Sequence, residues 1–158
     1  FDRFNNGGTL IIMNYAFRNK AVNDLLHSLE HLFDIHASAH VYCGLDDTKS
    51  FTIHDDYPAN FIIQIEGETE WTIFKNRISY LYKTGIMNGK LKESDLEVET
   101  KTVLKPGDVL YIPSRAYHCA KPKGERISLS IPCWQKLETD RPGTSIDRHT
   151  YHIRRNNV

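Results

Sequence analysis

Two residues near the middle of the chain, His54 and Asp56, have the types and spacing of metal ligands. A separation of two residues puts both side chains on one face of an extended strand. A neutral imidazole and a carboxylate that point the same way at the mouth of a barrel supply two ligands of the facial triad that binds Fe(II). The motif is short enough to arise by chance, so the flanking sequence has to decide its meaning.

The third ligand comes from a segment about sixty residues further along the chain. Residues 105–113 (KPGDVLYIP) have the composition of a tight turn and a short apolar strand that Pro113 ends, and His118 follows five residues later. This order returns a distant residue to the side of an earlier strand in a small β-barrel. We therefore predict a metal centre formed by His54, Asp56 and His118. The alternative, a surface His–Asp pair and an unrelated loop histidine, does not account for the second segment.

Two ordered blocks, residues 53–74 and 104–131, resemble the JmjC-type, cupin-like Fe(II)/2-oxoglutarate oxygenases, and within them the ribosomal oxygenases and the asparaginyl hydroxylase of the hypoxia response. The resemblance implies a mainly β fold, the double-stranded β-helix, with 2-oxoglutarate as cosubstrate and hydroxylation of a small-molecule or protein substrate. The residues that carry it are His54-Asp55-Asp56, Asn60-Phe61, Gln64-Ile65-Glu66-Gly67, Trp71, Pro106-Gly107-Asp108, Pro113 and His118.

The distal carboxylate of 2-oxoglutarate requires a cation, and here the chain departs from the family pattern. The related enzymes carry Lys or Arg two residues after the glycine that corresponds to Gly67, whereas this chain has Thr69. A hydroxyl can bind a carboxylate but adds no charge, and charge-assisted hydrogen bonds are roughly twice as strong as neutral ones. Lys75, of the same parity as Thr69 on a continuous strand, and Arg126, eight residues after His118, are the candidate cations. For each, the alternative is a surface cation at a strand end.

Polar residues complete the predicted cosubstrate pocket. The family resemblance places Asn60, Ser128 and Ser130 at the pocket wall, although polar residues in strands can equally be hydrogen-bonded groups of the core. Counting in steps of two puts His40 and Tyr42 on one strand face, from which both can look into the barrel.

Three functions are compatible with these residues. The first is an Fe(II)-dependent dioxygenase that uses 2-oxoglutarate to hydroxylate its substrate. The second is a cupin-type iron enzyme that chelates its substrate directly, and Thr69 favours it. The third is a non-catalytic cupin module that binds a metal or a small ligand. A shared fold does not distinguish these functions.

The surrounding elements are predicted to form one domain, with the barrel at 1–134 and a polar extension of the same domain at 135–158. Asn19 can cap one helix, residues 19–33, whose apolar residues recur at helical spacing. The extension contains His149 and His152, which we expect to be dispensable for metal binding. Short apolar segments predict strands at 9–13, 39–43, 61–65, 71–74, 78–82, 96–104 and 126–131, with a turn at 121–124.

Composition excludes several classes of protein. Of 158 residues, 40% are hydrophobic and 25% charged, and 20 basic side chains balance 20 acidic ones, so no nucleic-acid partner is expected. The apolar runs are shorter than the ~20 residues of a membrane span, and no membrane partner is expected. Cys43, Cys119 and Cys133 are odd in number and widely spaced, which predicts reduced thiols in a cytoplasmic compartment. The oligomeric state is not predicted.

Overall fold

The computed structural model describes residues 2–45, 51–77 and 92–136. Two helices, α1 and α2, and eight strands, β1 to β8, account for most of these residues. Turns of 3-10 helix lie at Tyr15–Arg18 and Glu93–Asp95. The elements are α1 (Asp2–Asn5), β1 (Leu10–Ile12), α2 (Lys20–Phe33), β2 (Ile35–Ala37), β3 (His40–Gly44), β4 (His54–Asp55), β5 (Ala59–Arg77), β6 (Val98–Leu104), β7 (Val109–Ile112) and β8 (Ala116–Gln135).

The predicted helix is present and begins where its cap was expected. The Asn19 side-chain oxygen accepts a hydrogen bond of 3.2 Å from the Val22 backbone N–H, which satisfies one of the unpaired donors of the first turn. The helix ends at Asp34, whose φ of 50° is left-handed. One apolar face, centred on the buried Leu26, covers the outer face of the sheet. Its neighbours in this core are Ala39, Val41, Leu129, Ile131 and Cys133.

All described strand pairs are antiparallel, which confirms the prediction of a mainly β protein. The path through the sheet is β1-β3-β8-β5-β6, with β2 and β4 paired to β8 and β7 paired to β5. The long strands β5 and β8 pair from Ala59 opposite Cys133 to Arg77 opposite Ala116. Within the described residues, no helix is long and apolar enough to cross a membrane.

Two expected interruptions are instead irregularities inside continuous strands. The predicted strands at 61–65 and 71–74 are both parts of β5, and the predicted turn at 121–124 lies within β8. Gly67 (φ 68°) and Gly124 (φ 86°) lie beside register shifts that bend the strands without ending them. A Cβ at Gly67 would lie 1.8 Å from the Glu125 carbonyl oxygen, so the backbones can approach this closely only at a glycine.

The irregularity near Gly67 also reverses which residues of β5 face inward. Before it, Asn60 and Ile62 line the inner cavity, while Phe61 packs against the core under α2. After it, Trp71 is at the cavity, so the inward parity has changed from even to odd. The predicted segment 78–82 and the extension from 137 onward lie outside the described residues, so the proposed division at 134 stays a prediction.

Candidate metal centre

The three predicted ligands converge where β4 meets the start of β8. His54 and His118 are directly opposite in this antiparallel pair, and their ring centroids are 4.3 Å apart. Asp56 follows β4, and its Oδ2 lies 3.6 Å from His118 Nε2. One ligand atom from each residue lies within 4.8 Å of the other two, a cluster that could hold one metal ion. Two nitrogens and one carboxylate are the donor set that the sequence predicts.

Backbone hydrogen bonds fix which nitrogen of each imidazole is available. His54 Nδ1 lies 2.7 Å from the Thr52 carbonyl oxygen, and His118 Nδ1 lies 2.7 Å from the Ala116 carbonyl oxygen. A carbonyl only accepts, so each Nδ1 carries the hydrogen and donates it. When its ring is neutral, each histidine therefore presents the lone pair of Nε2. Such hydrogen bonds orient histidine ligands and raise their basicity.

The pKa shifts favour the protonation states that a metal requires. Burial lowers the pKa of His54, and the neighbouring His118 lowers it further. Burial by itself would raise the pKa of Asp56, but hydrogen bonding to His118, the charges of both histidines and a hydrogen bond from Asn60 together lower it. At neutral pH the site therefore holds an ionised carboxylate beside a neutral His54 imidazole.

A cavity of about 240 Å³ opens beside the three ligands. Of the residues predicted for the cosubstrate pocket, five lie on its wall: Tyr42, Asn60, Arg126, Ser128 and Ser130. Sequence reasoning did not place Phe51 and Ile62 there. Ile62 could have been found because it shares strand parity with Asn60. Phe51, whose ring lies edge-on to His54 at 5.7 Å, has no periodic signal.

The wall serines use their hydroxyl hydrogens within the protein. Ser130 Oγ donates to Asn60 Oδ1 at 3.0 Å, and Asn60 in turn bonds to the Asp56 carboxylate. Ser128 Oγ donates to Gln64 Oε1, also at 3.0 Å. Ser130 and Asn60 therefore form a chain that orients Asp56, and both serine oxygens keep lone pairs that can accept a further hydrogen bond.

Arg126 is the basic residue of the cavity wall. It is only 5% exposed, and its Nε has no hydrogen-bond partner among the described residues. One terminal nitrogen donates a long 3.5 Å hydrogen bond to Thr9 Oγ1. Burial lowers the pKa of Arg126, while the nearby side chains of Cys43 and Tyr42 act to raise it. Within the described residues, no carboxylate forms an ion pair with this guanidinium, so it can receive an anionic ligand.

Three other residues considered for the pocket are placed elsewhere. The Lys75 side chain is 56% exposed and pairs with Glu97, so this alternative cation does not reach the cavity. The register shift between Ile73 and Phe74 breaks the alternation on which its assignment depended. Thr69 is fully buried but is not part of the cavity wall. His40 also lies off the wall, where its ring contacts the Asn14 backbone N–H and Ser38 Oγ.

Comparison with known proteins adds a family match over most of the chain. A model of the JmjC domain matches residues 13–140. Ribosomal oxygenase 1 of Gallus gallus is 26% identical over 139 residues, which cover 86% of this chain and 23% of that protein. The bifunctional lysine-specific demethylase and histidyl-hydroxylase NO66 of Drosophila mojavensis is 25% identical over 138 residues, with 84% and 15% covered. The chain thus spans about a quarter or less of these relatives' length.

Solved structures show the same fold. The X-ray structure of Escherichia coli ycfD superposes with a TM-score of 0.66 at 17% identity, covering 95% of this chain and 38% of that one. The structure of YcfD, a ribosomal oxygenase from the same organism, in complex with cobalt and 2-oxoglutarate gives a TM-score of 0.61 at 18% identity, covering 94% and 37%. These matches confirm the cupin-like double-stranded β-helix with one packed helix.

Proposed function

This chain belongs to the JmjC domain family, and we propose that it is an Fe(II)- and 2-oxoglutarate-dependent dioxygenase that hydroxylates a protein side chain. The observation that carries the proposal is a His–Asp–His cluster that opens onto a cavity with a buried arginine, for which the described residues supply no carboxylate partner. The cluster provides the ligands for a metal, and the arginine provides a counter-charge for an acidic cosubstrate. The two features together match the needs of this reaction.

The donor set fits Fe(II). His54 and His118 would bind through Nε2, because each Nδ1 is held by a backbone carbonyl, and Asp56 would bind through its carboxylate. Three protein ligands leave coordination positions open for a 2-oxo acid. When bound, the iron supplies the oxidative chemistry in which 2-oxoglutarate, O₂ and a substrate C–H become succinate, CO₂ and a C–OH. The protein orients the reactants and excludes water.

Arg126 is the proposed partner of the distal carboxylate of 2-oxoglutarate. A guanidinium can hold a carboxylate through two parallel hydrogen bonds. The Tyr42 hydroxyl can donate a further hydrogen bond to this carboxylate from the facing strand, where Tyr42 is opposite Ser128. Arg126 would take the role that a cation at the Thr69 position has in the related enzymes.

A protein substrate is proposed because the relatives carry names that describe such activities. Ribosomal oxygenase and histidyl-hydroxylase are the printed names of proteins that match more than four fifths of this chain. The substrate side chain would enter past Phe51, which lines the cavity and is 53% exposed. A cytoplasmic location is part of the proposal, since Cys43, Cys119 and Cys133 are all free thiols.

A second candidate keeps the iron and drops 2-oxoglutarate. Thr69 favours it, because the residue at this position is uncharged, fully buried and has no hydrogen-bond partner for Oγ1 among the described residues. In that case Arg126 would bind a carboxylate of the substrate itself.

Release of succinate distinguishes the two candidates. Purified protein is incubated with Fe(II), 2-oxoglutarate and O₂, without a substrate, because related reactions proceed slowly in this uncoupled form. We expect succinate from the wild type and none from Asp56→Ala. A wild-type protein that binds Fe(II) at the predicted ligands yet forms no succinate above the variant's background would favour the second candidate.

A further inference from the structure

A buried ion pair lies directly behind the 54–56 segment, which carries two of the ligands. Asp55 is between His54 and Asp56, so strand alternation points its side chain away from the ligand face. Its Oδ2 is 3.1 Å from Arg115 Nε, and the two side chains are 1% and 14% exposed. Neither carboxylate oxygen of Asp55 has a hydrogen-bond partner among the described residues, so the Arg115 cation is what compensates this buried charge.

The turn that carries Arg115 also contacts the ligand residues through its backbone. The Arg115 N–H donates to the Asp56 carbonyl oxygen at 2.8 Å. The next residue, Ala116, accepts the hydrogen bond from His118 Nδ1 that fixes this ring. The backbone of residues 115–116, where the turn leads into β8, therefore contacts the Asp56 backbone and the His118 ring.

The backbone of Arg115 has a conformation that needs support. Its φ is 64°, in the left-handed region that residues other than glycine rarely adopt. Such conformations persist where the surrounding structure holds them, and they are common at functional sites. Here the support comes from the ion pair with Asp55 and from the Ser114 hydroxyl in the same turn, which donates to the Tyr57 carbonyl oxygen.

We propose that the Asp55–Arg115 ion pair is a positioning element that holds Asp56 and His118 at the spacing one metal ion requires. The inference rests on the metal centre of the proposed function. Neither residue is expected to touch the metal. Instead, the buried attraction draws the 113–116 turn onto the 54–57 segment, and the backbone bonds of that turn then set the Asp56 backbone and the His118 ring.

The test replaces both charges together, because removing one would leave the other buried and unpaired. Apolar replacement of a buried ion pair is often neutral for stability. We therefore expect Asp55→Leu/Arg115→Met to melt close to the wild-type temperature but to bind Co(II) about 10- to 100-fold more weakly, as for other groups that orient metal ligands. The visible absorption of bound Co(II), which reports ligand geometry, should change as well.

Two further variants separate positioning from general effects of charge. Arg115→Lys keeps a cation opposite Asp55 and should retain most of the wild-type Co(II) affinity. Lys75→Met/Glu97→Leu removes a solvent-exposed ion pair elsewhere and should leave affinity and spectrum unchanged.

A folded Asp55→Leu/Arg115→Met protein with wild-type Co(II) affinity and spectrum overturns the inference. If that variant does not fold, Asp55→Asn/Arg115→Gln decides, since it removes both charges and keeps polar side chains of similar size: weaker binding supports the positioning role, and unchanged binding contradicts it. Failure of the proposed function looks different, because the wild type would then bind no Co(II), or Asp56→Ala would bind it equally well.

Discussion

Replacing Arg126 with methionine removes the cation of the cavity wall and keeps an unbranched apolar side chain in its place. If this guanidinium binds the distal carboxylate of 2-oxoglutarate, the variant loses hydrogen bonds to a charged group. Such bonds contribute about 1.5–3 kcal/mol, so the 2-oxoglutarate dissociation constant should rise about 10- to 150-fold. The metal site should stay intact, because Arg126 is not one of the three residues of the ligand cluster.

The same substitution should not destabilise the ligand-free protein. Burial holds the pKa of Arg126 below its unfolded value, which means that keeping the guanidinium charged costs folding free energy at neutral pH. Its side-chain hydrogen bond to Thr9 Oγ1, the one it makes within the described part of the chain, is long at 3.5 Å. We therefore expect a melting temperature for Arg126→Met that equals or exceeds that of the wild type. Addition of 2-oxoglutarate should stabilise the wild type more than the variant.

The assay is calorimetric titration of 2-oxoglutarate into Co(II)-loaded protein. Lys121→Met is the matched control, since Lys121 is on the same strand but is 58% exposed and pairs with Glu93. Thr69→Lys, introduced into Arg126→Met, places a cation where the related enzymes carry one and should restore part of the affinity. An unchanged dissociation constant in Arg126→Met, with Co(II) still bound, would refute the role of Arg126.

Three further predictions concern the metal and the fold. Asp56→Ala should lose most bound Co(II) or Ni(II) on dialysis while keeping the wild-type circular dichroism spectrum, and stoichiometric retention of metal would exclude this ligand. Burial and His118 lower the pKa of His54 below its usual 6.5, so protons compete with the metal for this ring only in more acidic solution. Co(II) affinity should therefore stay constant as the pH falls to 6.5 and weaken below that pH. A loss of affinity that begins above pH 7 would contradict this prediction. Gly67→Ala should destabilise the protein by about 3 kcal/mol or more, because the new Cβ would overlap the Glu125 carbonyl oxygen. A Cβ at Gly124 meets no atom within 4 Å, so Gly124→Ala should cost only about 1–2 kcal/mol, from the strain of a left-handed backbone. Equal urea midpoints for the two glycine variants would contradict that difference.

The residues that converge on the metal centre could be predicted because local rules control their placement. A spacing of two on an extended segment puts His54 and Asp56 on one face, and the turn that ends at Pro113 returns His118 to that face. The helix could be predicted in the same way, since Asn19 and the periodic apolar residues after it are local signals. In each case the relevant geometry extends over a few residues.

The wrong assignment of Lys75 and the features that were not predicted arise from long-range contacts and register shifts, which no local sequence pattern reveals. Lys75 was assigned by counting in steps of two from Thr69, but the shift after Ile73 ends that alternation. The close approach of Gly67 to Glu125, which bends β5 and β8 together, depends on two segments almost sixty residues apart. The left-handed backbone of Arg115 and its ion pair with Asp55 likewise bring together segments that are about sixty residues apart in the sequence.

An anaerobic soak of wild-type crystals with Fe(II) and 2-oxoglutarate shows where the metal and the cosubstrate bind. We expect one iron bound by His54 Nε2, His118 Nε2 and the Asp56 carboxylate, with 2-oxoglutarate in the adjacent cavity and its distal carboxylate against Arg126. Iron at these ligands without 2-oxoglutarate would favour the second candidate function. Iron bound elsewhere, with the three ligands free, would contradict the account of the site.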